Sequence, residues 1–318
     1  MIAIPWRCPQ HPLAAAPAIG YVAGQSAREG RPMTRTVYRN THRSIALAVA
    51  LVMAASATAA AAAADGTVPL RPTADDELPP AIVGEGGALL GSDVGYFDAN
   101  DATVGYLAVP EGPGPHPAVI LIHEWNGLVD RVKQTADSFA AEGYVALAAD
   151  LYSGRTGSNR EENMALVRET LAEPEVIIAN LEAAVRYLEA RDDTTGKVAA
   201  IGWCYGGGVA LSFALGSDAH DGTAIFYGRL LDDPERMQHI HHPVYGTFVE
   251  NDAGIPVADV HAFVDALRAA GIDNDVHVYD HVNHGFWLHV DRDPATNAGP
   301  ALDAWQRLKT YLDQVLGD

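Results

Sequence analysis

The chain has 318 residues, 48% hydrophobic and 19% charged, with 41 acidic against 21 basic side chains and a net charge of −20. This is ordinary globular composition, with enough apolar residues for one large α/β domain or two small ones. The negative excess argues against nucleic acid or an anionic membrane surface as a partner.

The first 64 residues differ from the rest. Met1–Pro32 has scattered Pro and Gly and no periodicity, and reads as an artefactual or disordered extension, with Met33 as the true start. Arg35, Arg39 and Arg43 precede an apolar run over Ile45–Val52 and an Ala-rich tail. Ala57-Thr58-Ala59 and Ala62-Ala63-Ala64 both fit a small-residue cleavage site, so 33–64 reads as a secretory signal peptide. The rival is an uncleaved anchor, because Ile45–Ala64 is long enough to span a bilayer. Cleavage implies an exported protein, periplasmic or extracellular, with no further membrane contact. It removes six of the 21 basic residues and one of the 41 acidic ones, leaving a net charge of −25. It also removes Cys8, so Cys204 remains as the only cysteine and no internal disulfide can form.

Residues 65–92 are Pro- and acid-rich with weak pattern, and read as an N-terminal arm. From 93 the elements begin. Val94–Phe97 and Val104–Val109 alternate as a hairpin around Asn100-Asp101. Ala118–His123 is a continuous apolar run, as expected of a strand buried on both faces. A helix over 128–142 follows, ended by Gly143, then a second buried strand over Tyr144–Ala149. Helices are predicted over 160–171 and 174–191, the latter with Pro174 in its first turn. Lys197–Trp203 is a third buried strand, running into a Gly-rich turn at Cys204 and a helix to Leu215. Strands over 223–227 and 244–249, a helix over 257–270, a strand over 276–279 and a helix over 300–316 complete the chain. Alternating strands and helices predict a mostly parallel sheet with helices on both faces.

Gly202-Trp203-Cys204-Tyr205-Gly206 lies between a predicted strand and a predicted helix. The nucleophile of an α/β-hydrolase occupies such a strained turn, with glycines two residues either side letting strand and helix approach. A thiol at a helix N-terminus beside a histidine is activated as the attacking thiolate; the alternative is a buried structural cysteine. In this arrangement an acid and then a histidine follow the nucleophile. Asp252, after the 244–249 strand, is the best acid, ahead of Glu250 and of Asp259 inside the next helix. Asp252 could instead cap that helix. His284, in the loop Asn283-His284-Gly285-Phe286 after the last strand, is the best histidine, ahead of His281, His289 and His277. Its role would be to exchange a proton with the thiol and activate water, with Asp252 fixing its tautomer.

Residues 93–316 resemble the dienelactone hydrolase family. The resemblance rests on Gly202–Gly208 (GWCYGGG), His123–Leu128 (HEWNGL), Asp150-Leu151-Tyr152 and Asn283–Phe286 (NHGF). It implies the α/β-hydrolase fold, cleavage of a carboxylic ester or lactone, and no cofactor. It further implies that Glu124 helps to make the thiolate, and that the backbone N–H groups of Trp125 and Tyr205 form an oxyanion hole. Strand-end capping is the plainer role for Glu124. The family's namesake substrate carries a carboxylate held by arginines. The matching positions here hold Glu162 and Leu288, so the resemblance extends to the reaction class and not to the dienelactone. Arg155, Arg160 and Arg168 lie near enough to compensate only under a shifted placement.

His123-Glu124 is no zinc-protease motif, since the second histidine is absent. His239, His241 and His242 lack a Cys or spaced acidic partner and read as a solvated turn rather than a metal site. Trp203, Phe286 and Trp287, with Leu288, are either an apolar substrate pocket or core. Three functions follow: an exported thiol esterase or lactonase, carboxymethylenebutenolidase proper, and a non-catalytic binding relative. The residues leave the acyl group, the alcohol and the oligomeric state open.

Overall fold

The computed structural model describes residues 71–317. The expected extension, the expected signal peptide and the first residues of the arm lie outside the described residues. No described helix is long and apolar enough to cross a membrane.

Eight strands form one sheet: β1 (Ser92–Val94), β2 (Gly105–Ala108), β3 (His116–Ile122), β4 (Val145–Ala149), β5 (Thr194–Trp203), β6 (Gly222–Phe226), β7 (Val244–Val249) and β8 (Asn274–Tyr279). Their spatial order is β1-β2-β4-β3-β5-β6-β7-β8. Strands β3 to β8 run parallel to their neighbours, while β2 joins β1 and β4 antiparallel. Helices α1 (Asp130–Ala141), α2 (Arg160–Leu171), α3 (Pro174–Glu189), α4 (Tyr205–Gly216), α5 (Pro234–Met237), α6 (Val257–Ala269) and α7 (Pro294–Leu316) connect or cover them.

The continuous apolar runs follow from coverage on both faces. Along β3, Val119 and Leu121 pack with α1 and α7, while Ala118, Ile120 and Ile122 pack with α2, α3 and α4. Strands β4 and β5 divide in the same way, so both sets of alternating side chains are apolar.

Three expectations change. The first two strands do pair antiparallel, but β1 is only Ser92–Val94 and the connection to β2 is long, so no tight hairpin forms at Asn100-Asp101. The arm is packed rather than peripheral. Ala81 and Ile82 are buried, Ile82 accepts from the Val290 N–H at 2.9 Å, and Trp305 Nε1 donates to Thr73 Oγ1 at 2.9 Å. The last helix begins at Pro294, not Pro300: Pro294 takes the first-turn position and Pro300 is accommodated inside. Two short elements without an apolar period, α5 and a 3₁₀ turn over Val290–Arg292, are additional.

The histidine-rich turn also differs from a solvated loop. His241 is exposed, but His242 is only partly accessible. Thr223 Oγ1 bridges His242 Nε2 at 2.8 Å and His220 Nε2 at 2.9 Å, and the buried His220 ring stacks on Phe213 at 4.2 Å. Burial, the largest influence on each, holds His220 down to about 3 and His242 down to about 4. A folded-state pKa below the unfolded 6.5 stabilises the protein fully above pH 6.5, and that stability is lost as pH falls toward these values. At pH 5 each neutral ring costs about 2 kcal/mol relative to the unfolded chain. Denaturant unfolding at pH 7 and pH 5 should show this loss. A His220→Phe variant, which keeps the stack, should lose less stability on acidification than wild type. Equal pH dependence of the two proteins removes His220 from the account.

Candidate active site

The site is assembled at the C-terminal edge of the sheet, where loops leave the parallel strands. Glu124 follows β3, Cys204 follows β5, Tyr227 follows β6, Asp252 follows β7 and His284 follows β8.

Cys204 has φ 55° and ψ −114° and immediately precedes α4. A non-glycine residue in that region is strained by about 1–3 kcal/mol, and the surroundings must enforce it. Here the Cys204 N–H donates to Phe226 O at 3.0 Å and Gly208 donates back to Cys204 O at 3.3 Å. The side chain is presented at the helix N-terminus, where the dipole favours negative charge.

His284 Nδ1 lies 2.6 Å from Asp252 Oδ2. Asp252 is buried and does not cap α6, whose preceding residue is Pro256; its Oδ1 instead accepts from the Gly254 N–H at 2.8 Å. Burial is the largest influence on His284 and lowers its pKa. Hydrogen bonds to Asp252 and Cys204, with the negative charge of both, overcome it and raise the value to about 10. The side chain is 39% exposed, so solvent screens part of this stabilisation. Cys204, Asp252 and His284 thus act on one another.

The other candidates fall elsewhere. Glu250, Asp259 and His281 are exposed, and His277 packs on Tyr279 at 4.3 Å. His289 pairs with Glu124, its Nε2 lying 2.8 Å from Oε2. The buried Glu124 carboxylate is held by His289, and Glu124 and Cys204 both act electrostatically on Tyr227.

Tyr227, which carried no sequence signal, lies between these groups. It adopts φ 38°, its ring is 4.9 Å from that of His284, and its hydroxyl accepts from the Leu288 N–H at 3.3 Å. Burial first, and the Glu124 charge second, hold its hydroxyl well above the ordinary tyrosine range, so it stays protonated.

The Trp125 and Tyr205 backbone N–H groups donate to no acceptor among the described residues. The first turn of α4 lies directly against the end of β3: a Cβ on Gly206 would overlap the carbonyl oxygens of Ile122 and His123. The two amides are therefore brought to the same edge. Trp203, Phe286, Trp287 and Leu288 are fully buried, with the Trp203 and Trp287 rings stacked at 5.6 Å. Of the two readings of this group the structure selects core, not pocket lining.

Residues 103–316 match the Dienelactone hydrolase family. The chain belongs to the dienelactone hydrolase family. Over 222 residues it is 30% identical to a protein of Methylorubrum extorquens named as a candidate carboxymethylenebutenolidase, covering 66% of this chain and 76% of that one. Protein usf of Aquifex pyrophilus is 31% identical over 227 residues, covering 69% of this chain and 97% of that one. Among solved structures, a dienelactone hydrolase-like promiscuous phosphotriesterase from metagenomic libraries shares the fold, with TM-score 0.65 and 24% identity over 72% of this chain and 99% of that one. This dienelactone hydrolase relative is thus a hydrolase of α/β-hydrolase fold.

The positions matched to the family's carboxylate-binding arginines are accounted for physically. Glu162 is exposed and accepts from the Ser158 N–H and hydroxyl at 2.9 and 2.7 Å, bracing the start of α2. Leu288 is buried. Arg155 is bound in a bidentate pair to Glu169, at 3.0 and 2.7 Å, and Arg168 is exposed on α2. Arg292 is the arginine near the histidine loop, with Nη1 3.5 Å from where a Gly285 Cβ would lie.

Proposed function

We propose that this protein cleaves a carboxylic ester or lactone through an acyl-Cys204 intermediate. The observation that carries the reading is the 2.6 Å contact of Asp252 with the His284 ring, whose pKa Cys204 also helps to raise. The Cys204 sulfur attacks the acyl carbon, and a C–S bond forms. The carbonyl oxygen becomes an oxyanion, received by the Trp125 and Tyr205 N–H groups. The C–O bond to the alcohol breaks, and the His284 imidazolium gives its proton to the departing oxygen. His284, now neutral, takes a proton from water as the water oxygen bonds to the acyl carbon; the C–S bond then breaks, the acid leaves, and the thiolate is restored beside the imidazolium. Glu124 assists formation of the thiolate, and His289 holds it at rest. A binding module would have no use for a cysteine kept at a strained φ beside an Asp–His pair, which disfavours the non-catalytic reading.

Substrate charge separates esterase from carboxymethylenebutenolidase. A buried carboxylate without a paired cation is strongly disfavoured. Glu162, Leu288 and the Arg155–Glu169 pair all support neutral substrates. A missing arginine–carboxylate contact of about 2–3 kcal/mol corresponds to a kcat/KM about 30- to 150-fold lower for an anionic ester than for its neutral analogue. Rapid-quench mass spectrometry with the neutral ester should find the acyl group on the peptide carrying Cys204. Acylation of another residue rejects the intermediate. A preference for the anionic ester that is lost in Arg292→Ala would instead restore carboxymethylenebutenolidase.

A further inference from the structure

His123 directly follows β3 and is fully buried; it lies against Glu124 and Tyr205 but takes no part in the chemistry assigned above. Its two nitrogens are nevertheless both engaged. Nδ1 lies 2.7 Å from the carbonyl oxygen of the next residue, Glu124. That oxygen can only accept, so Nδ1 carries the hydrogen. Nε2 lies 3.3 Å from the Leu151 nitrogen, whose N–H can only donate, so Nε2 is bare. The two contacts together require a single neutral tautomer, and burial, which pushes the His123 pKa below its ordinary value, maintains it.

The consequence falls on the peptide between Glu124 and Trp125. A trans peptide is planar, and its N–H points opposite to its C=O. The Glu124 carbonyl is drawn toward the buried imidazole and also accepts from the Gly127 N–H at 3.2 Å. The Trp125 N–H therefore points away from the imidazole, and it has no acceptor among the described residues. The following peptide is fixed too, because the Tyr152 hydroxyl donates to Trp125 O at 3.2 Å. The imidazole packs edge-on against Tyr152 at 4.6 Å and along Tyr205 at 6.0 Å, beside the residue that supplies the second free amide.

We propose that His123 is the positioning residue of the oxyanion hole, holding the Glu124–Trp125 peptide in the orientation that offers the Trp125 N–H to the developing oxyanion. The proposal rests on the hydrolase reading above. His123 moves no proton in it; the effect is on geometry alone, and a hydrogen bond that must be in place before the reaction is worth most when it needs no reorganisation.

The test compares wild type, His123→Leu and His123→Gln on one neutral ester and with iodoacetamide. Alkylation of Cys204 needs the thiolate but no oxyanion hole, so it reports the triad separately. Deleting an oxyanion donor outright costs about 10²- to 10³-fold in kcat, and releasing one from its set orientation should cost about 10- to 100-fold. His123→Leu is therefore expected to lose that much in kcat, with KM and the alkylation rate within about twofold of wild type. Glutamine can donate to Glu124 O and accept from the Leu151 N–H, so His123→Gln should recover most of kcat, and it keeps the test alive should the leucine variant not fold. The proposal is overturned if the leucine variant keeps full kcat, if kcat and alkylation fall in equal proportion, or if glutamine falls at least 10-fold in kcat. Failure of the hydrolase reading itself looks different: wild type would then show no Cys204-dependent turnover at all.

Discussion

Cys204→Ala is expected to lose ester turnover by about 10⁴- to 10⁶-fold in kcat while keeping the wild-type fold. The side chain is only partly buried, so its removal leaves little cavity, and alanine relieves none of the φ 55° backbone that the neighbouring hydrogen bonds impose. Because the proposed triad would work as a unit, His284→Ala should cost nearly as much, and the double variant should be no worse than the worse single one. Asp252→Asn keeps the geometry but presents the wrong partner to His284 Nδ1, and should cost about 10⁴-fold. The pH dependence carries a second signature. His284 is raised to about 10 by Asp252 and Cys204 against the pull of burial, so its pairing stabilises the fold below pH 6.5 and is lost as pH rises through about 10. In Cys204→Ala one of the two raising partners is gone, and the His284 titration followed by NMR should move to lower pH. Turnover within tenfold of wild type in Cys204→Ala, or an unmoved His284 titration, contradicts the triad.

What the sequence made legible follows from where its signals are local. Strands β3, β4 and β5 declare themselves because both faces are covered, which leaves no polar position in their buried stretches over 118–122, 145–149 and 198–203. Cys204 is legible because an elbow needs small residues at fixed offsets, and Asp252 and His284 because each follows a strand. The Glu124–His289 pair spans 165 residues and leaves no mark in either segment. His289 was therefore visible only as a rival to His284. Trp203, Phe286 and Trp287 were ambiguous for a different reason: an aromatic ring facing a pocket and one facing a core have the same composition, and only burial separates them. The arm over 71–90 lacks periodicity because it is held by backbone and side-chain hydrogen bonds to α1, α7 and the 290–292 turn, and not by a repeating apolar face.

Gly206→Ala is expected to be strongly destabilising, and Gly299→Ala to have the opposite sign. At Gly206 an added Cβ would overlap the carbonyl oxygens of Ile122 and His123, and no flexible side chain is present to give way. Relief requires α4 to move away from β3, which separates the elbow carrying Cys204 and Tyr205 from the loop carrying Trp125. Overpacking of this kind costs about 1–3 kcal/mol, and more where backbone must shift, so a loss of at least about 3 kcal/mol is expected. The surviving folded protein should also lose kcat by about 10²-fold or more, because the two proposed oxyanion donors would be drawn apart. Gly299 lies inside α7 with nothing within 4 Å of its would-be Cβ. Alanine there gains helix propensity and reduces the freedom of the unfolded chain, worth about 0.5–1 kcal/mol of added stability with no change in kcat. Urea unfolding and initial rates on the pair of variants decide the matter. A Gly206→Ala protein as stable and active as wild type would mean that β3 and α4 do not meet through this glycine, and the joint placement of the two amides would lose its cause.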